Sequence, residues 1–257
     1  MEWTAVSAAR KALVTGASAG LGRAFAERLA AGGHAVTGID RDAAGADVPF
    51  DHLLCDLADP GAVDALIAEL AARGPFDRVI LNAGISATGR FETIPPEAHA
   101  RLLAVNTEAP MVLTAGLAAA GALGRGGRLI FVSSLSHFTG YPGAASYGAS
   151  KDALAAYARS IRKPFEKAFG VSVSVACPGP LRTDHAARHA PEGTDAKKRM
   201  PPDEAARRIL ADAERGRAMI TPGSGAAMFA LLGRLAPGPV TSAMKRIIYD
   251  KLDRSVF

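Results

Sequence analysis

The 257 residues, 49% hydrophobic and 21% charged, make an ordinary globular composition with enough chain for a sizeable core, which excludes a disordered or low-complexity protein. No apolar run reaches the ~18 residues of a membrane-spanning helix, Cys55 and Cys177 lie apart in strand-like runs, and the six histidines lack ligand spacing, so a transmembrane, disulfide-stapled or metal-dependent protein is not expected. The net charge of +5 falls wholly in the last 76 residues, with 14 basic and nine acidic side chains; a solvated basic face is the expected meaning, and an acidic substrate, a lipid surface or nucleic acid the alternatives.

The N-terminal stretch MEWTAVSAARKALVTG has no basic segment leading into an apolar run, so no export signal is read and a cytoplasmic location is expected. The first strand, KALVTG at 11–16, runs into TGASAGLG at 15–22 and a helix over 20–32. Gly16, Gly20 and Gly22 allow a tight turn and close approach of backbone to a ligand, and the new helix would aim its first amides at a phosphate. The second strand, AVTGID at 35–40, ends on Asp40, where a carboxylate accepts hydrogen bonds from both ribose hydroxyls of an adenosine and repels a 2′-phosphate. That favours NAD; Arg41, next in the chain, keeps NADP as the alternative. Little room separates Asp40 from Asp51, so a short loop is expected there.

The third strand is HLLCDL, 52–57. Asp59 and Pro60 then supply an N-cap and a first-turn proline for a helix over 60–73. Strand four is RVILNAG at 78–84, followed by a helix over 96–120 containing Asn106. Strand five, RLIFVSS, ends on Ser133 and Ser134, and the helix 146–169 begins SYGASKDAL. Strand six, VSVSVACPG, leads into PGPLRTD at 178–184, and a polar stretch over 184–201 reads as a mobile loop of the kind that forms lids. A helix over 202–215 and a seventh strand, AMITPG, precede an irregular Gly/Pro stretch and an amphipathic end over 224–257.

Nearly continuous apolar strands alternating with helices predict an α/β fold: a Rossmann-type, doubly wound sheet of seven parallel strands with helices on both faces. No linker or repeat divides the chain, so one catalytic domain over 1–257 is expected, with 184–201 as substrate lid and 224–257 as C-terminal extension.

These motifs resemble, in order over residues 11–223, the short-chain dehydrogenase/reductase family. The resemblance implies a cofactor turn formed by Gly16, Ser18, Gly20, Leu21 and Gly22. Asp40 and Arg41 would meet the adenosine ribose, Asp56 and Leu57 the adenine, and Asn82, Ala83 and Gly84 the same ribose from strand four. Asn106, Ser134, Tyr147 and Lys151 match the family's catalytic tetrad, Ser134 by standing 13 residues before Tyr147. Pro178, Gly179 and Thr183 would flank the nicotinamide, and Lys151 would also bind its ribose. A homodimer or homotetramer is implied too.

The residues carry part of this chemistry by themselves. Tyr147 and Lys151, four apart on a helix, share one face. A phenol titrates near 10, too high for a base at neutral pH, and a neighbouring ammonium is expected to lower it. Asn106 is expected to hold a water linking Lys151 to solvent. The implied reaction moves a hydride between a secondary alcohol or ketone carbon and nicotinamide, with Tyr147 moving the hydroxyl proton. Ser136, His137, Phe138, Tyr141 and Leu181 are expected to wall a partly apolar substrate pocket. Arg182, Arg188, Lys197 and Lys198 would attract an acidic substrate. Two rivals stand beside the enzyme: a non-catalytic dinucleotide sensor, which need not keep a complete tetrad, and a membrane or nucleic-acid binder working through the basic C-terminal part. An enoyl reductase is disfavoured because that relative has six residues between its tyrosine and lysine.

Overall fold

Seven strands pair in parallel in the order β3-β2-β1-β4-β5-β6-β7. They are β1 (Lys11–Thr15), β2 (Ala35–Asp40), β3 (Asp51–Leu54), β4 (Phe76–Leu81), β5 (Leu123–Val132), β6 (Ser172–Ala176) and β7 (Met219–Ile220). The computed structural model describes residues 9–190, 194–252 and 254–257. The order reverses between β1 and β4, which opens a crevice at their carboxyl ends, the usual ligand position in such sheets.

The two-residue period of the strands builds a core on each face. Ala12, Val14, Ile80 and Ile130 pack towards α1 (Gly20–Ala31) and, near the chain's other end, the helix Pro202–Glu214. Their neighbours Leu13, Val79, Leu81, Leu129 and Phe131 face the opposite core, shared with α2 (Pro60–Arg73) and the helices that follow β4 and β5. The centre of β1 and the ends of β4 and β5, buried on both sides, are continuous apolar runs, as the sequence implied.

Element bounds differ from expectation where a local bond redirects the chain. β3 stops at Leu54; the Asp56 carboxylate accepts from Ala58 N at 3.0 Å and Asp59 caps α2, so CDL is already a turn. The helix expected over 96–120 divides into α3 (Pro96–Leu103), a π-helical turn (Ala104–Glu108) and α4 (Ala109–Ala119). Pro110 has no N–H to continue the ladder, and the widened turn before it carries Asn106. By length and composition Pro96–Ala119 is apolar enough to cross a membrane, yet Leu102, Val105, Leu113 and Leu117 are buried within the fold. It is a core helix pair.

α5 (Ala145–Phe169) follows β5 and ends on Gly170 in the left-handed conformation. The stretch 184–201, expected as a loop, forms α6 (Asp184–Arg188) and a 3-10 turn (Ala196–Lys198), and a parallel bridge ties Leu181 to Met200 at its base. Residues 191–193 of that stretch lie outside the described residues. α7 is Pro202–Glu214. The segment after β7, expected to be irregular, forms α8 (Ser224–Leu235) and α9 (Pro237–Ile247). Gly233 lets α8 close on the loop after β5, because a Cβ there would lie 2.6 Å from the Phe138 carbonyl. The tail then returns, with Val256 and Thr88 exchanging two backbone hydrogen bonds of 2.8 Å.

Candidate active site

One open cleft of about 2260 Å³ runs along the carboxyl ends of the strands, from Asp40 at one end to Tyr147 and the 184–201 stretch at the other. At its floor the turn after β1 bends through Gly16 at φ +72°. A Cβ on Gly22 would overlap the Gly16 carbonyl, so only glycine fits this closure. The N-terminus of α1 has neither a side-chain cap nor an acidic residue in its first turn, leaving its amides for an anion. Ser18, Gly20 and Leu21 line the same floor. Asn82 holds the turn from β4: its Nδ2 donates to the Thr15 carbonyl at 3.1 Å, while Asn82 N and Ala83 N both donate to Thr15 Oγ1 at 3.0 Å. Asn82 is thereby a brace for the cradle, with Ala83 and Gly84 on the cleft wall.

The adenosine end is more self-bonded than the sequence suggested. Asp40 Oδ2 accepts from Ser18 N at 3.0 Å and Ser18 Oγ at 2.6 Å, and Oδ1 accepts from Arg41 N at 2.8 Å. Arg41 pairs with Asp42 at 3.2 Å. Asp56, next to Leu57 on the wall, is gripped by Arg101 Nη2 at 2.8 and 3.0 Å. Burial alone would raise the Asp56 carboxyl, but the Ala58 amide and the Arg101 guanidinium hold it below its ordinary value. Arg101 carries no motif, and nothing in the sequence singled it out.

At the other end, Tyr147, Lys151, Ser134 and Asn106 come together. Ser134 stands on the cleft wall with Tyr147, and its hydroxyl accepts from Ser136 N at 3.2 Å. Lys151, almost fully buried, donates from Nζ to the Val132 carbonyl at 2.9 Å, and Nζ lies 6.0 Å from the centroid of the Tyr147 ring. A Cβ on Gly84 would press within 2.9 Å of that Nζ, so the NAG turn leaves room for the lysine. Asn106 is fully buried and bonded to Ile85 and Ser150 through its amide, so it fastens backbone where a water-holding role was expected.

Burial also sets the charge states of the pair. Burial pushes the Tyr147 phenol up to about 12, a rise only partly opposed by the Ser134 hydroxyl. Burial likewise drops the Lys151 ammonium to about 8. Desolvation opposes each charge. The ordinary state is therefore a neutral phenol beside a weakly held ammonium. Burial also raises the Cys177 thiol to about 11, which leaves it an inert neighbour behind Ser133.

The expected substrate wall divides. Ser136, Tyr141 and Leu181 line the cleft, together with Pro178, Gly179 and Thr183. His137 and Phe138 do not. The 3-10 turn Leu135–Phe138 carries them away, so that His137 Nδ1 meets Asp152 at 2.5 Å and Phe138 is buried under Arg234, 5.0 Å from its ring. The Tyr141 ring meets Tyr147 edge-on at 6.1 Å. From the 184–201 stretch, His185 and Arg199 reach the same cleft, neither of them signalled by a motif.

Comparison with known proteins gives one answer at three levels. A family model described as short chain dehydrogenase matches residues 10–193. The chain is similar to the 3-oxoacyl-(acyl-carrier-protein) reductase MabA of Mycobacterium avium, 34% identical over 176 residues covering 68% of each chain. It is similar as well to FabG of Escherichia coli strain K12, of the same named activity, 31% identical over 67% of this chain and 74% of that one. Among solved structures, a short-chain dehydrogenase from Sphingobium yanoikuyae in complex with NADPH superposes with a TM-score of 0.72 at 26% identity, covering 87% of this chain and 92% of that one.

Proposed function

This chain belongs to the short-chain dehydrogenase family, and from that premise we propose that it moves a hydride between a nicotinamide cofactor and the carbon of a secondary alcohol or ketone, Tyr147 transferring the hydroxyl proton. The observation that carries the reading is the convergence of Ser134, Tyr147 and Lys151, with the lysine Nζ 6.0 Å from the Tyr147 ring centroid, in the cleft that also holds the glycine turn. The 3-oxoacyl group reduced by the two named relatives is itself a ketone.

The proton logic follows from burial. A phenol that ionises near 12 is protonated at neutral pH, which suits a general acid for reduction. The cofactor supplies the hydride and with it the two electrons. The carbonyl oxygen, held by the Ser134 hydroxyl, takes the Tyr147 proton as the carbon gains the hydride, and the ketone becomes an alcohol. Lys151 faces the phenolate left behind and stabilises it by charge. A complete Asn106–Ser134–Tyr147–Lys151 set weighs against a pure dinucleotide sensor. A homodimer or homotetramer belongs to the reading by resemblance.

For the cofactor, we favour NAD, because Asp40 places a carboxylate at the ribose edge, where a 2′-phosphate would be repelled. NADP is a second reading, supported by the NADPH held in the Sphingobium neighbour and by Arg41, whose side chain is largely exposed beside Asp40.

Tyr147→Phe removes the proton and little else. It is expected to abolish turnover on a panel of secondary alcohols and ketones while the cofactor still binds. Near-normal turnover in that variant would sink the mechanism.

A further inference from the structure

The cleft that holds Tyr147 also contains a cation with no ion-pair partner among the described residues. Arg199 lines the cleft from the strand-like segment between the 3-10 turn Ala196–Lys198 and α7. Its Nη1 is buried and makes no hydrogen bond. Among the described residues no carboxylate forms an ion pair with it, whereas Arg28, Arg73, Arg78, Arg101 and several others each have an acidic partner. A buried guanidinium nitrogen without an acceptor loses its hydration and gains nothing in return.

The position of Arg199 is built rather than incidental. Its N–H donates to the Ala196 carbonyl at 3.1 Å, its carbonyl accepts from Arg182 Nη2 at 3.5 Å, and Arg182 N donates to the Met200 carbonyl at 2.9 Å across the Leu181–Met200 bridge. The guanidinium acts electrostatically on the Tyr141 phenol, and the Tyr141 ring stands edge-on to Tyr147. Arg188, Lys198 and Lys251 line the same cleft, as does Asp195, whose carboxylate accepts from Lys197 N at 2.9 Å.

We propose that Arg199 anchors a carboxylate of the substrate, so that this protein acts on a hydroxy acid or keto acid whose hydroxyl or carbonyl lies at Tyr147 while its acid group pairs with the guanidinium. A carboxylate offers the planar pair of acceptors that a guanidinium fork matches, and it satisfies the orphaned Nη1 directly. The inference rests on the hydride-transfer reading above and narrows it: a neutral ketone or a thioester brings no negative charge to pair with Arg199.

The test uses the full-length protein with matched pairs of 2-, 3-, 4- and 5-oxo carboxylic acids and their methyl esters, with both cofactors. At least one acid is expected to exceed its ester in kcat/KM by about tenfold or more, the weight of one charge-assisted hydrogen bond. Arg199→Gln should collapse that acid-to-ester ratio mainly through the KM of the acid, and Arg199→Lys should restore part of it. An ester used as well as its acid, or a ratio unmoved in Arg199→Gln, overturns the assignment. If neither acids nor esters turn over, the hydride-transfer reading has failed and the anchor is decided by binding. Thermal stabilisation of the wild type by the same oxo acids, absent in a folded Arg199→Gln, upholds it; equal stabilisation of both overturns it.

Discussion

Asn106 and Ile85 hold each other by two hydrogen bonds: Ile85 N donates to Asn106 Oδ1 at 2.8 Å, and Asn106 Nδ2 donates to the Ile85 carbonyl at 2.9 Å. The amide thus acts as a short piece of strand for the loop after β4. Nδ2 also donates to Ser150 Oγ at 3.0 Å, and Ser150 in turn donates to the Tyr147 carbonyl at 2.8 Å. Asn106→Ala strands both Ile85 groups, so it is expected to cost about 2–4 kcal/mol and to lower activity together with stability. Urea unfolding measures the first effect. A loss below about 0.5 kcal/mol, the level of an ordinary surface change, would show that the pair is dispensable.

Asp40 divides its carboxylate between Ser18 and Arg41 N. Asp40→Ala removes a ribose acceptor and the charge that repels a 2′-phosphate. It is expected to weaken NAD binding by about tenfold or more and to leave NADP binding unchanged or improved, as one lost charged hydrogen bond implies. Calorimetric titration with each cofactor distinguishes this from a general collapse of the turn, in which both affinities would fall alike.

Lys151 gives the reaction a pH dependence of definite sign. Its ammonium loses a proton near 8, well before the phenol loses one near 12. Below pH 8 both are protonated, and the rate of carbonyl reduction should be flat. Above it the charge that stabilises the phenolate is lost, and kcat/KM should fall about tenfold per pH unit. Lys151→Arg keeps a charge that does not titrate in this range, so whatever activity remains should lose the break. A wild-type profile level up to pH 10 would contradict the assignment.

Much of this was legible because it is local. Strands buried on both faces read as apolar runs, Asp59 and Pro60 announce α2, and the glycine turn announces itself by where it falls between strand and helix. Tyr147 and Lys151 were legible because helix geometry fixes their relation. His137 was not, since its direction depends on a four-residue 3-10 turn that the chain's composition does not mark. Arg199 sits in KKRM, which reads as solvated charge; its burial depends on the bridge between Leu181 and Met200, a contact made only on folding. The helices of the C-terminal stretch were obscured by glycines and prolines, although Gly233 is present for close packing and Pro237 opens α9.

The 184–201 stretch also carries a titratable pair. The rings of His185 and His189 lie 4.9 Å apart, and His189 Nδ1 meets Thr88 Oγ1 at 2.9 Å beside the returning tail. Burial, aided by His189, Arg188 and Lys151, drops His185 to about 4, and burial with Arg188 lowers His189 as well. In the unfolded chain each imidazole takes up its proton near 6.5. Between pH 6.5 and 4 the unfolded chain holds the extra proton, so falling pH favours unfolding; the stability present above 6.5 is lost progressively towards 4. For His185 the whole interval is worth up to about 3 kcal/mol, less where water reaches the ring. His185→Gln should therefore flatten the acid limb of stability measured by urea unfolding from pH 7 to pH 4. Parallel limbs for the variant and the wild type would mean that His185 takes up its proton as freely in the folded chain as in the unfolded one.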